Sequence, residues 1–70
     1  MEILVFKTNV TSKKKVSMVA PLLTSFPTIH HWNFDLDDCD KVLRIEAAGL
    51  NPGSVERLLH KAGFNCQELE

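Results

Sequence analysis

Lys7-Thr8-Asn9-Val10-Thr11-Ser12-Lys13-Lys14-Lys15-Val16 carries the chain out of an apolar strand, through a short polar loop and into a helix. Ahead of the loop, residues 2–8 are β-branched and aromatic, with Ile3 and Val5 alternating against Leu4 and Phe6. Both faces of this strand are apolar, which places it in the middle of a sheet. Asn9 to Ser12 is turn chemistry, and the Ser12 hydroxyl stands where it can cap a helix. Val16, Val19, Ala20 and Leu23 then recur at helical spacing over residues 13–24. Pro21 lies inside that pattern, where it removes one backbone hydrogen bond and predicts a kink rather than two elements.

Working outward, residues 28–37 read as a second strand with Trp32, Phe34 and Leu36 alternating onto the core face. Asp37-Asp38-Cys39-Asp40 is a hairpin turn, and residues 41–47 form a third strand with Leu43 and Ile45 inward. A second helix follows: Asn51 caps it, Pro52 takes its first position, and Val55, Leu58, Leu59 and Ala62 make its buried stripe. Gly63 ends it in the left-handed conformation, with Phe64 supplying the accompanying apolar contact. A last strand over residues 64–69 closes the chain. The order βαββαβ with right-handed crossovers gives an antiparallel sheet of order 4-1-3-2 with both helices on one face. This is the α+β ferredoxin-like sandwich, and 1–70 reads as one domain.

The composition, 44% apolar and 24% charged with net charge −1, is that of an ordinary globular chain and points to neither nucleic acid nor membrane. No segment approaches the ~20 apolar residues of a membrane span. Glu2 leads and the lysines follow the apolar run, which is the reverse of a signal peptide, so the expected location is the cytoplasm. The charge is unevenly spread: Lys7, Lys13, Lys14 and Lys15 stand against Glu2 alone in residues 1–24, and the remainder is acidic.

With its elements placed, the chain resembles a heavy-metal-associated domain, the fold of small copper chaperones and of the N-terminal modules of metal-pumping ATPases. The residues that carry the resemblance are Phe6-Lys7-Thr8-Asn9-Val10, the run Val16-x-x-Val19-x-Pro21-x-Leu23 and the strand Ile29-x-x-Trp32-x-Phe34-Asp35. Asp40-Lys41-Val42-Leu43 and Lys61-Ala62-Gly63-Phe64 complete the set. The resemblance implies metal transport through a Cys-x-x-Cys motif in the first loop. That motif falls on Ser12 and Lys15, and a hydroxyl and an ammonium cannot replace two thiolates around a soft cation. No metal ligand is therefore carried over, and no cofactor is expected.

Three lysines in the first turn of a helix repel one another and oppose the helix dipole. Two readings stand. Lys13, Lys14 and Lys15, with the free amides after Ser12, bind an anion or an acidic protein surface; or Asp35, Asp37, Asp38 and Asp40 of the hairpin offset them within the chain. The Lys15 ammonium also stands where it can replace the charge of a bound metal and hold the loop.

His30-His31 is a second constellation, but neighbours on a regular strand point to opposite faces and cannot share an ion. Cys39 and Cys66 are the third, and three strand spacings put them roughly 14 Å apart, beyond disulfide or shared-metal reach. These four residues remain as non-standard ligands between subunits. There is no phosphate loop and no nucleophile with a base, so no catalysis is expected. The expected function is a non-catalytic interaction or anion-binding module through the lysine loop. The alternatives are metal handling by non-standard ligands and a self-associating domain forming a weak homodimer.

Overall fold

In the computed structural model, which describes residues 1–69, six elements follow the expected order. They are β1 (Glu2–Thr8), α1 (Lys13–Thr24), β2 (Ile29–Asp35), β3 (Val42–Ala47), α2 (Pro52–Lys61) and β4 (Cys66–Glu68). Glu70, the end of the expected domain span, lies outside the described residues. The strands form one antiparallel sheet of order β2-β3-β1-β4, which is the expected 4-1-3-2 read from the other edge. The fold is the ferredoxin-like βαββαβ sandwich.

β1 is central because its even-numbered side chains fill the core. Leu4, Phe6 and Thr8 are buried on the helical face, and Leu43, Ile45 and Ala47 of β3 join them. The helices contribute Val19 and Leu23 from α1 and Val55 and Leu59 from α2, all four fully buried. Each such side chain supplies roughly 1.5–3 kcal/mol of apolar burial. Leu58 and Ala62, expected in the buried stripe, are half-buried at its margin. Trp32 and Phe34 pack on the sheet edge in an edge-to-face pair with centroids 6.0 Å apart.

The helix ends follow local chemistry. Ser12 caps α1, its hydroxyl accepting from the Lys15 N–H at 3.3 Å, and α1 runs as one element through Pro21. Asn51 caps α2 with Pro52 next, and Gly63 (φ 91°) follows its end. The Phe64 N–H reaches the Leu59 carbonyl (2.9 Å) and the Gly63 N–H the His60 carbonyl (3.0 Å), the paired bonds of a Schellman ending.

Strand ends differ from expectation, for identifiable reasons. β2 stops at Asp35, whose carboxylate accepts the Asp37 N–H and begins the turn, so Leu36 is half-buried outside the strand. β3 starts at Val42 because Lys41 adopts φ 47° and bonds back to the Asp38 carbonyl. β4 is shorter than residues 64–69 because Phe64 completes the helix ending and the Asn65 N–H turns to the Asn9 side chain.

The outward edge of β4 is covered by α2. Glu56 accepts the Glu68 N–H at 2.8 Å, and the Cys66 carbonyl accepts from His60 Nε2 at 3.2 Å. The opposite edge, β2, carries a bulge between Ile29 and His31. Both devices discourage further strand pairing.

Phe6→Ala removes a fully buried ring and should lower stability by about 3–5 kcal/mol, whereas Ile3→Ala on the exposed face should cost under about 0.5 kcal/mol. Paired urea titrations measure the difference, and equal losses would contradict this placement of the core.

Candidate functional site

The loop between β1 and α1 is braced on three sides by groups of the chain itself. Val10 is fully buried and anchors the loop to the core. The buried Thr8 hydroxyl donates to the Lys41 carbonyl at 2.6 Å and accepts the Val10 N–H at 3.2 Å. On the other side, the Asn9 carboxamide oxygen accepts the Asn65 N–H at 2.8 Å, tying the loop to the start of β4.

Ser12, Lys13, Lys14 and Lys15 are brought together at the tip, where β1 hands over to α1, and the three lysines are exposed. No acid occupies the first turn of α1. The Lys15 ammonium returns to the loop, 3.2 Å from Thr11 Oγ1. As a donor set for a soft cation this tip does not fit. Ser12 Oγ is committed to capping the Lys15 N–H, and the Lys15 head is a cation with no lone pair to offer.

The acidic hairpin lies beside the loop, since the Thr8 N–H bonds the Asp40 carbonyl at 3.0 Å. It does not neutralise Lys13–Lys15. Among the described residues the ion pair formed is Lys7 to Asp40, at 3.7 Å and well exposed, an arrangement that contributes little. Asp35 and Asp38 instead accept the N–H groups of Asp37 and Asp40 and shape the turn. The intramolecular offset expected of these acids is thus absent as direct pairing among the described residues.

His30 and His31 stand at the start of β2, both exposed, and are not joined to the lysine tip. The bulge overturns the simple alternation expected of them. Ile29 and Trp32 both pack toward the core with two residues between them, so His30 occupies an extra position in the ladder. Cys39 is exposed, and its Sγ and the carboxylates of Asp38 and Asp40 lie within 4.8 Å of one another. Cys66 is buried, and burial, with Glu56 nearby adding negative charge, pushes its thiol up to about 12. Both cysteines are free.

The chain superimposes on a structure from work on crosstalk between Cu(I) and Zn(II) homeostasis with a TM-score of 0.83 at 10% identity, covering 99% of this chain and 100% of the other. It also superimposes on the Atx1-Cu(I)-Ccc2a complex with a TM-score of 0.85 at 11% identity, covering 100% of this chain and 97% of the other. The fold is heavy-metal-associated-like. No family model and no curated protein matches the chain, and at 10–11% identity the likeness shows the copper-chaperone-type fold alone.

Sequence reasoning missed Thr8 and Asn9 as the braces of this loop. A hydroxyl among the inward positions of β1, at Leu4-x-Phe6-x-Thr8, was the available signal, because a core-facing hydroxyl must find partners. Thr8→Val should cost about 1–3 kcal/mol by orphaning the Val10 N–H and the Lys41 carbonyl. Hydrogen exchange should show the loss of protection concentrated at Val10; a uniform loss, or none, would count against the brace.

The raised Cys66 thiol also has a consequence for pH. The unfolded chain releases this proton near the ordinary value of 9.0, while the folded chain holds it to about 12. The stabilisation is therefore complete below about pH 9 and falls as pH rises toward 12, by up to about 1.4 kcal/mol per unit. Subtracting the alkaline stability profile of Cys66→Ala isolates this contribution, and parallel profiles would refute it.

Proposed function

We propose that this chain is a non-catalytic, heavy-metal-associated-like domain of residues 1–70, acting in the cytoplasm as a docking module for an acidic protein surface. The carrying observation is the braced loop that presents Lys13, Lys14 and Lys15 without an acid of the described chain in ion-pair reach. Positive charge at a helix N-terminus costs about 0.3–1 kcal/mol per group, and an anionic partner removes that cost. Ser12 and Lys15 replace the two thiolates that copper(I) would require, with the Lys15 ammonium closing the loop onto Thr11. No nucleic-acid role is proposed, since no aromatics interleave with the lysines and the chain as a whole carries net charge −1.

A second reading, metal handling by non-standard ligands, draws on the gathered donors of Asp38, Cys39 and Asp40. It also draws on the copper named in both structural neighbours.

Amide-resolved NMR titrations separate the readings. A hexaglutamate peptide should shift Ser12–Val16, with the shifts abolished by high salt and by K13E/K14E/K15E. Copper(I) should leave residues 9–16 unmoved in the native chain and shift them in Ser12→Cys/Lys15→Cys. Copper-induced shifts of the native loop would sink the docking reading; shifts confined to Asp38–Asp40 would favour the second.

A further inference from the structure

The outer face of the sheet is independent of the lysine tip. Strand alternation puts Ile3 and Val5 on it, and the register sets Glu46 beside Ile3 and Arg44 beside Val5. His31 and Asn33 of β2 flank the same two β3 residues. Leu69, whose N–H bonds the Val5 carbonyl at 2.8 Å, extends the apolar strip on the other side. Ile3 is 62% exposed and Leu69 37%, so the strip lies open. Neither Arg44 nor Glu46 forms an ion pair within the described chain.

We infer that this face is an isologous docking surface for a second copy of the chain, packed sheet to sheet. The argument is self-complementarity of charge and shape. Place a two-fold axis between two such faces, running across the strands at the level of Leu4 and Ile45. Arg44 of one copy then faces Glu46 of the other, and the reverse pair forms by symmetry. Ile3 meets Val5, and His31 meets Asn33, under the same operation. A pattern shifted by one pair, or with like charges at the two β3 positions, would set like charges face to face.

Face packing is favoured over edge pairing by the state of the edges. Glu56 and His60 occupy the outward groups of β4, and the bulge disrupts β2. A four-stranded face outlines about 400 Å² per copy. Two copies together bury on the order of 800 Å², below the ~1,200 Å² at which standard specific interfaces begin and in the range of weak, transient contacts. The dimer is accordingly weak, forming only at high protein concentration.

Sedimentation and NMR relaxation of the full chain, across protein concentrations up to millimolar, test this with charge reversals. Arg44→Glu and Glu46→Arg should each weaken self-association at least about tenfold by opposing like charges twice. R44E/E46R should restore it, because the reversed pairs again match, and the singles' amide spectra report whether each is folded. Ile3→Lys should also abolish the dimer. A native chain that stays monomeric at millimolar concentration would overturn the proposal. So would single reversals that leave association unchanged, or a double reversal that fails to recover it.

Discussion

The hydroxyl of Thr8 is the interaction on which the loop end of the molecule depends. It is buried at the last position of β1 and is satisfied as donor to Lys41 and as acceptor from Val10. Its backbone N–H, in turn, bonds the Asp40 carbonyl. One residue therefore sets where the β2–β3 hairpin returns, where the first loop turns inward and how α1 is launched. Lys41 answers the same constraint. Its φ of 47° is costly for a side-chain-bearing residue, at roughly 1–2 kcal/mol. Three hydrogen bonds hold it there: its N–H to Asp38, its carbonyl from Thr8 and its ammonium to the Leu36 carbonyl. Local strain is thus stored where the hairpin meets the candidate site, against a bracing network that leaves no buried side-chain polar atom unpartnered among the described residues.

The fold was legible wherever the signal repeated along an element. Leu4-x-Phe6, Val16-x-x-Val19-x-x-x-Leu23 and Val55-x-x-x-Leu59 report burial by period alone, and Asn51-Pro52 with Gly63 marks the ends of α2 by local chemistry. What escaped depends on partners distant in sequence. The bulge at His30 exists only relative to Ala47 and Glu46 of β3, and the shortening of β4 depends on Asn9, 56 positions away from Asn65. Leu36 is a local exception: its alternation is correct, but Asp35 accepts the N–H of Asp37, two residues on, and diverts the backbone one residue earlier. The candidate site was legible as a location and as a set of lysines. Its rigidity was not, because the braces come from Lys41 and Asn65, on separate segments.

The acids of the hairpin show why charge counting along a sequence misleads. Asp35 and Asp38 have nearby backbone N–H groups to accept, and such bonds form at no long-range entropic cost. Pairing with Lys13–Lys15 would require long, mobile side chains to be held across solvent for little return. The hairpin acids accordingly serve the turn, and Asp40 takes Lys7, the cation on the strand beside it. The lysines of α1 are left with the Ser12 cap, worth about 1 kcal/mol, to offset an unfavourable dipole contribution of about 0.3–1 kcal/mol for each of them.

β1 serves two surfaces through the alternation of a single strand. Leu4, Phe6 and Thr8 look inward and govern the core and the loop; Ile3, Val5 and Lys7 look outward and govern the sheet face and the pair with Asp40. A side chain on one parity is screened from the other by the sheet itself, so charge changes at Arg44 or Glu46 reach the lysine tip only through screened, long-range fields. In the inferred dimer a second copy covers the sheet face and leaves the tip, at the loop end where β1 passes into α1, open to a partner. The two-fold of that dimer reverses the strands, so the two lysine tips lie at opposite ends and a compact acidic partner engages one tip at a time.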